Sequence, residues 1–83
     1  MGDKTVLVHV RSSGESLAVE ISIYSHGEGK LLERKSVPLE EGVKELVAGE
    51  TRITPGLEDL EMDIVLDNAE GIIERRGSSI IVR

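Results

Sequence analysis

A period-two alternation of aliphatic and polar residues runs through the stretch TVLVHVRSSGESLAVEIS, residues 5–22. Valine occupies every second position from Val6 to Val10, and after SSGE the alternation resumes with Leu17, Val19, Ile21 and Ile23. Successive side chains of a β-strand point to opposite faces of its sheet, so the pattern predicts two strands with one apolar face each. Gly14 can adopt the positive φ of a tight turn, which predicts a hairpin. A lone hairpin is marginally stable in water, so its apolar face must pack on another layer.

The aliphatic composition favours the same interpretation. Val and Ile together outnumber Leu by 17 to 9, and branching at Cβ suits a pleated sheet better than a helix. Phe and Trp are absent and Tyr24 is the only aromatic residue. We therefore expect a core that is packed from interdigitated methyl groups.

A second glycine-rich turn, HGEG, leads into the stretch LLERKSVPL, residues 31–39. This third strand alternates poorly, and it carries three successive charged residues, Glu33, Arg34 and Lys35. Charged side chains and a proline such as Pro38 are typical of a strand at the edge of a sheet. The sequence therefore predicts an edge strand here.

The segment 38–48 is compatible with two structures. Leu39, Val43 and Leu46 have helical spacing, and Gly49 could end such a helix. Gly42 would then lie inside the helix, where it costs about 1 kcal/mol relative to Ala. In the alternative structure, turns at 41–42 and 49–50 flank a short strand from residue 43 to residue 48. We favour the strand, with a short helix near 38–48 as the alternative.

Residues 51–83 contain further strand and turn signals. A short strand in TRITPG runs into a Pro55-Gly56 turn, and residues 60–66 then alternate between aliphatic and mostly acidic side chains. DNAEG, residues 67–71, predicts a turn, and IIERR and IIVR predict two strands that are separated by GSS. Short strands separated by turns predict an all-β chain with one domain over residues 1–83. We expect a small antiparallel β-sandwich of about seven strands, with a small barrel as the alternative.

Charge and composition narrow the possible partners. The formal net charge is −6, which on average repels nucleic acid and anionic membranes. The chain has no cysteine, and no apolar run approaches the roughly 20 residues of a membrane span. We expect an acidic, soluble domain, expressed in the cytoplasm, that requires no partner. A homodimer that pairs through an exposed edge strand is the open alternative.

The residues that could carry chemistry are few. His9 and His26 are the only histidines; His9 is predicted on the face opposite the valines and His26 in a turn, so we expect both in solvent. The adjacent pair Ser25 and His26 would not face each other in a strand, and no GxSxG elbow exists. HGEGKLL lacks the third glycine of a dinucleotide loop and the spacing of a P-loop.

An acidic region covers residues 58–70, with Glu58, Asp59, Glu61, Asp63, Asp67 and Glu70. Calcium needs oxygen ligands that curl around one point, whereas these residues are spread along an extended strand, so we expect a solvated face. Arg75 and Arg76 form one basic dipeptide without aromatic neighbours, which is not a nucleic-acid surface. The sequence therefore predicts no catalytic, cofactor-binding or metal-ligating residue, and we do not expect an enzyme.

The chain as a whole resembles de novo designed β-sandwiches of immunoglobulin-like or jelly-roll style. The likeness is carried by the alternating stretches TVLVHV, SLAVEISIY and LEMDIVLD and by the glycine turns SSGE, HGEG, EEG, AGE and RRGSS. Designed chains use such binary patterns and turn residues deliberately. The resemblance implies a stable structural scaffold without biochemical activity.

Two natural families are also similar to the C-terminal half. Residues 63–66, Asp-Ile-Val-Leu, resemble a strand of forkhead-associated phosphopeptide-binding domains, which implies a small binding module that holds a peptide through loops or a sheet edge. The arginine and the Ser-x-x-His element of that family are missing, so phosphate recognition is not carried over. LEMDIVLDNAEGIIERRGSSIIVR, residues 60–83, is similar to the third and fourth strands of Sm-like RNA-binding proteins, but the negative charge opposes RNA binding.

Overall fold

The computed structural model describes residues 2–13, 16–37, 42–54 and 59–83, and for residues 13, 16 and 17 it describes the backbone alone. The described chain is all-β, without a helix. Its eight strands are β1 (Lys4–Ser13), β2 (Ser16–Ser25), β3 (Leu31–Val37), β4 (Glu45–Ala48), β5 (Thr51–Ile53), β6 (Leu60–Ala69), β7 (Ile73–Arg76) and β8 (Ser79–Val82). The predicted all-β fold class is therefore confirmed, with eight strands where the sequence predicted about seven.

The first sheet contains the three longest strands and has the order β3-β2-β1-β6, with every neighbouring pair antiparallel. The first three strands follow one another along the chain, and β6 returns from the second sheet to lie beside β1. An arrangement in which the fourth strand returns to the side of the first is a Greek key, the pattern found in most β-sandwiches. Val8 of β1 lies opposite Ile21 of β2 and Ile64 of β6.

The second sheet has the order β5-β4-β8-β7 and consists of two short hairpins. Strands β4 and β5 form one antiparallel hairpin, and β7 and β8 form the other. The hairpins meet through β4 and β8, which run parallel, with Leu46 opposite Ile80 and Ala48 opposite Val82. This parallel pair is a departure from the purely antiparallel sandwich expected from the sequence.

One aliphatic core joins the two sheets. The side chains of Val6, Val8 and Val10 are completely buried, as the alternation of β1 predicted. The other buried apolar residues come from both sheets; they are Val19, Ile21, Ile23, Leu46, Ala48, Ile53, Ile64, Ala69, Ile80 and Val82. The side chain of Leu17, which the sequence also assigned to the core, lies outside the described residues.

The segment 38–48 contains a strand in its described part. Strand β4 covers Glu45–Ala48, and Val43 packs half-buried against the core before it. The described residues 42–48 therefore agree with the strand that we favoured and not with the helix. The predicted edge position of the third strand is confirmed, since β2 is the single neighbour of β3 among the described strands. Pro38, Gly14 and the Pro55-Gly56 turn lie outside the described residues.

Strand β6 is longer than the sequence predicted. Residues 67–69 belong to the strand, although DNAEG was expected to form a turn. Asn68 has a positive φ of 56°, and the register between β1 and β6 shifts at the same place, so that an extra residue of β6 is accommodated. A short polar side chain tolerates this left-handed conformation better than most others, so a β-bulge replaces the predicted turn and the strand continues to Ala69.

The core assignment predicts that a charge at Ile21 abolishes folding. Ile21 has no exposed surface and lies at the centre of the first sheet, so Ile21→Asp would bury an unpaired carboxylate. We expect no cooperative thermal transition in circular dichroism for Ile21→Asp, whereas the control Ile21→Val lowers the unfolding free energy by only about 1 kcal/mol. A cooperative transition of Ile21→Asp at the wild-type midpoint would contradict the core assignment.

Candidate functional site

A histidine held by two carboxylates lies on the outer face of the first sheet. His9 Nδ1 is 2.6 Å from Asp63 Oδ1, and His9 Nε2 is 3.5 Å from Glu61 Oε1. An ionised carboxylate only accepts hydrogen bonds, so Nδ1–H donates to Asp63. The sequence placed these three residues on solvated strand faces, and the structure brings them together.

The register of β1 and β6 explains the short distance. His9 lies directly opposite Asp63, and Glu61 lies opposite Arg11, the next residue of β1 on the same face. Directly opposite side chains have Cβ atoms roughly 5 Å apart, close enough for a hydrogen bond. The alternation showed that both strands present these residues outward. It did not show that the strands are neighbours, because 54 residues separate His9 from Asp63.

The site raises the pKa of His9 above its usual 6.5. The hydrogen bond to Asp63 is the largest cause, and the negative charges of Asp63, Glu61 and Glu20 act in the same direction. Desolvation by the surrounding atoms opposes them. The proton on the imidazole is therefore held more tightly in the folded chain than in the unfolded one.

The geometry restricts what His9 can do chemically. The two carboxylates contact different ring nitrogens, so they do not converge with the imidazole on one metal ion, and in the described contacts both nitrogens face a carboxylate. Among the described residues no group of three or more His, Asp or Glu side chains could hold a metal ion. The arrangement links β1 to β6 through a hydrogen bond from His9 to Asp63 and a longer contact between His9 and Glu61.

The second histidine, His26, lies near the hydroxyl of Thr5. Thr5 Oγ1 donates to Asp67 Oδ1 at 3.3 Å and lies 3.5 Å from His26 Nδ1. His26 occupies the exposed turn after β2, as the sequence predicted. Ser25 does not contact its ring in the described hydrogen bonds; the Ser25 hydroxyl accepts from the Lys30 backbone N–H instead.

The acidic residues of 58–70 and the pair Arg75 and Arg76, which the sequence also singled out, do not come together in one site. Glu61, Asp63 and Asp67 are exposed along one face of β6, the extended arrangement that we expected, and Glu58 lies outside the described residues. Arg75 Nε donates to the Gly77 carbonyl at 3.1 Å. Arg76 forms an ion pair with Glu74 at 3.5 Å.

Two shallow depressions mark the ends of β6 in the described chain. One of 290 Å³ is lined by Arg11, Ser12, Asp59, Leu60 and Glu61, and one of 220 Å³ lies beside Leu66, Asn68 and Arg83. Ser12 Oγ is buried without a described hydrogen-bond partner. In the first depression no described hydrogen bond joins the Ser12 hydroxyl to Asp59 or Glu61, so no carboxylate is positioned to activate it.

No protein-family model, no curated protein and no solved structure matches this chain. No helix among the described residues is long and apolar enough to cross a membrane. The resemblances to designed sandwiches, forkhead-associated domains and Sm-like proteins stay predictions.

The His9 site predicts a pH-dependent stability. Because folding raises the pKa of His9, the folded state binds the proton more tightly, so this contribution is fully present below pH 6.5 and is lost as the pH rises through the folded-state pKa. We expect the urea midpoint to fall as the pH increases through this window. The change should be smaller in Asp63→Asn.

Asp67→Asn is the matched control, since it removes the same charge from the same strand and Asp67 contacts Thr5 instead of His9. Its urea midpoint should keep the pH dependence of the wild type. Equal pH dependence in the wild type and Asp63→Asn would contradict the assignment.

Proposed function

We propose that the chain is a structural scaffold without catalytic activity, and that its sequence is of designed origin. The observation that carries the proposal is the continuous aliphatic core, to which both sheets contribute. The interior is occupied mainly by aliphatic side chains, and no titratable side chain for which the structure gives a burial is buried in it. A catalytic or ligand-binding site usually needs a concave pocket with a few converging polar groups.

The described turns support a scaffold. The connections Gly49–Glu50 and Gly77–Ser78 contain two residues each, and Gly49 and Gly77 have positive φ values of 61° and 59°. Glycine is the residue that a tight hairpin turn with positive φ requires. Such turns close the framework without presenting an extended loop to a ligand.

The sequence pattern supports the proposal of design. The inward positions from Val6 to Val10 in β1 and from Val19 to Ile23 in β2 are all aliphatic, and the outward positions of both strands are largely polar. Binary patterning that matches strand period, combined with glycine at the turns, is how β-proteins are specified by design. Immunoglobulin-like or jelly-roll style belongs to the same proposal, and the Greek key of the first sheet is compatible with either.

Capture of an extended peptide at a sheet edge is the second candidate function. It corresponds to the binding-module alternative that the forkhead-associated likeness suggested. The observation that favours it is the long edge of β6, which has no neighbour on that side among the described strands.

Insertion of a flexible segment tests the scaffold. No atom outside the chain neighbours lies within 4 Å of a Cβ built on Gly77, so six Gly/Ser residues between Gly77 and Ser78 should be tolerated. Two doublings of loop length cost about 1.2 kcal/mol, which corresponds to a decrease in Tm of about 5–10 °C for a domain of this size.

The matched control is the same insertion between Gly49 and Glu50. A Cβ on Gly49 would lie 2.7 Å from Leu66 Cδ2, and the Gly49 N–H donates to the Val82 carbonyl, so this turn packs on the framework and its insertion should lower the Tm more. Loss of the cooperative transition on insertion at Gly77 would argue against a scaffold.

A further inference from the structure

The two sheets have four edge strands, and they differ in length and in side-chain pattern. In the second sheet, β5 has three residues and β7 has four, whereas β6 of the first sheet has ten. A short edge offers few backbone groups to a further strand. The two edges of the first sheet are therefore the ones to compare.

Strand β3 is protected against pairing by its side chains. Lys35 and Glu33 lie opposite Ile21 and Ile23 and so occupy the core-facing side of the strand, where they form an ion pair at 3.3 Å. Charged residues on the inward side of an edge strand oppose the addition of another strand, which would cover them. Strand β6 has Met62 and Ile64 at its corresponding inward positions.

The described hydrogen bonds identify which backbone groups of β6 are unpaired. The Gly2 N–H donates to the Asn68 carbonyl, and the Asp3 carbonyl accepts from the His26 N–H. Even-numbered residues of β1 therefore direct their backbone toward β6 and odd-numbered residues toward β2, because antiparallel strands alternate in this way. On β6, the partners of the even residues are Leu66, Ile64 and Met62.

It follows that Glu61, Asp63 and Val65 direct their N–H and C=O groups away from β1, toward the open edge. Their side chains lie on the outer face, where Val65 is 60% exposed and both carboxylates are exposed. On the other face, Leu60 at the start of the strand is 42% exposed. The edge thus combines backbone groups that have no described strand beside them, negative charge on the outer face and apolar surface on the inner face.

We propose that the β6 edge binds an extended basic segment of a partner protein as an added strand. The partner residues opposite Glu61 and Asp63 are Lys or Arg, and the residues between them are aliphatic and contact Leu60 and Met62. Strand addition takes its affinity from main-chain hydrogen bonds and its specificity from alternate side chains. The net charge of −6 attracts such a segment over longer distances.

A second copy of the chain does not fit this edge. Every antiparallel register that joins Glu61, Asp63 and Val65 of two copies places acidic residues opposite each other. When Val65 faces Val65, for example, Asp63 faces Asp67. Like charges directly opposite in a ladder are destabilising, so the homodimer expected as an alternative from the sequence is disfavoured at β6.

An NMR titration of the isotope-labelled full chain tests the proposal with a blocked heptapeptide of alternating Lys and Val. We expect chemical-shift changes centred on β6 and slower hydrogen exchange of the amides of Glu61, Asp63 and Val65. In an added antiparallel strand, the Lys residues opposite Glu61 and Asp63 direct their backbone N–H groups toward β6 and the Val residues direct theirs away. Methylation of the Lys backbone nitrogens should therefore abolish binding, whereas methylation of the Val backbone nitrogens should preserve it. The corresponding Glu/Val peptide should not bind.

Two variants distinguish strand pairing at the β6 edge from non-specific electrostatic attraction of a basic peptide. Glu61→Lys should weaken binding of the Lys/Val peptide by about tenfold, because it replaces a cross-strand attraction with a repulsion. Glu33→Lys changes the net charge equally at the opposite edge and should leave the affinity within about twofold. Equal losses in both variants, equal binding of both methylated peptides, or no shift at millimolar peptide would overturn the proposal.

Discussion

Contact between the aliphatic faces of the two sheets is the interaction on which the rest of this structure depends. Val6, Val8 and Val10 are completely buried in the first sheet, and Leu46 and Ala48 are completely buried in the second. The strands of the second sheet have only three or four residues, and hairpins of this length are marginally stable alone. Packing against the first sheet is therefore what stabilises them. With no Phe or Trp in the chain, this stability depends on close contact between methyl groups.

The same contact determines which residues of β1 and β6 lie next to each other on the outer surface. A slip of one residue between β1 and β6 would turn the apolar side chains outward, so burial determines the register. That register places His9 opposite Asp63, which brings the imidazole within hydrogen-bond distance of the carboxylate. It also determines that Glu61 and Val65 present backbone groups at the free edge. Core packing, the histidine site and the proposed binding edge are therefore consequences of one strand alignment.

The sequence was most informative about features that depend on the residues of one strand alone, such as which face of the strand is buried. Period-two alternation identified the inward faces of β1, β2 and β6, and the charges of β3 identified its edge position. The pattern gave no information on partners, since alternation defines the faces of a strand and not its neighbours. The β1–β6 pairing, the parallel β4–β8 pair and the His9–Asp63 contact all join segments far apart in the chain. The Asn68 bulge was not predicted because DNAEG is also a good turn sequence. Pairing of β6 with β1, which the sequence did not show, decided in favour of the bulge.

Native-state hydrogen exchange tests the common core most directly. If the two sheets stabilise each other, the slowest amides of β1 and β2 and those of β4 and β8 exchange only through global unfolding. They then share one opening free energy and one dependence on denaturant. Exchange of the β4 and β8 amides through a smaller opening, while β1 and β2 remain protected, would show that the second sheet detaches on its own and would contradict a single core.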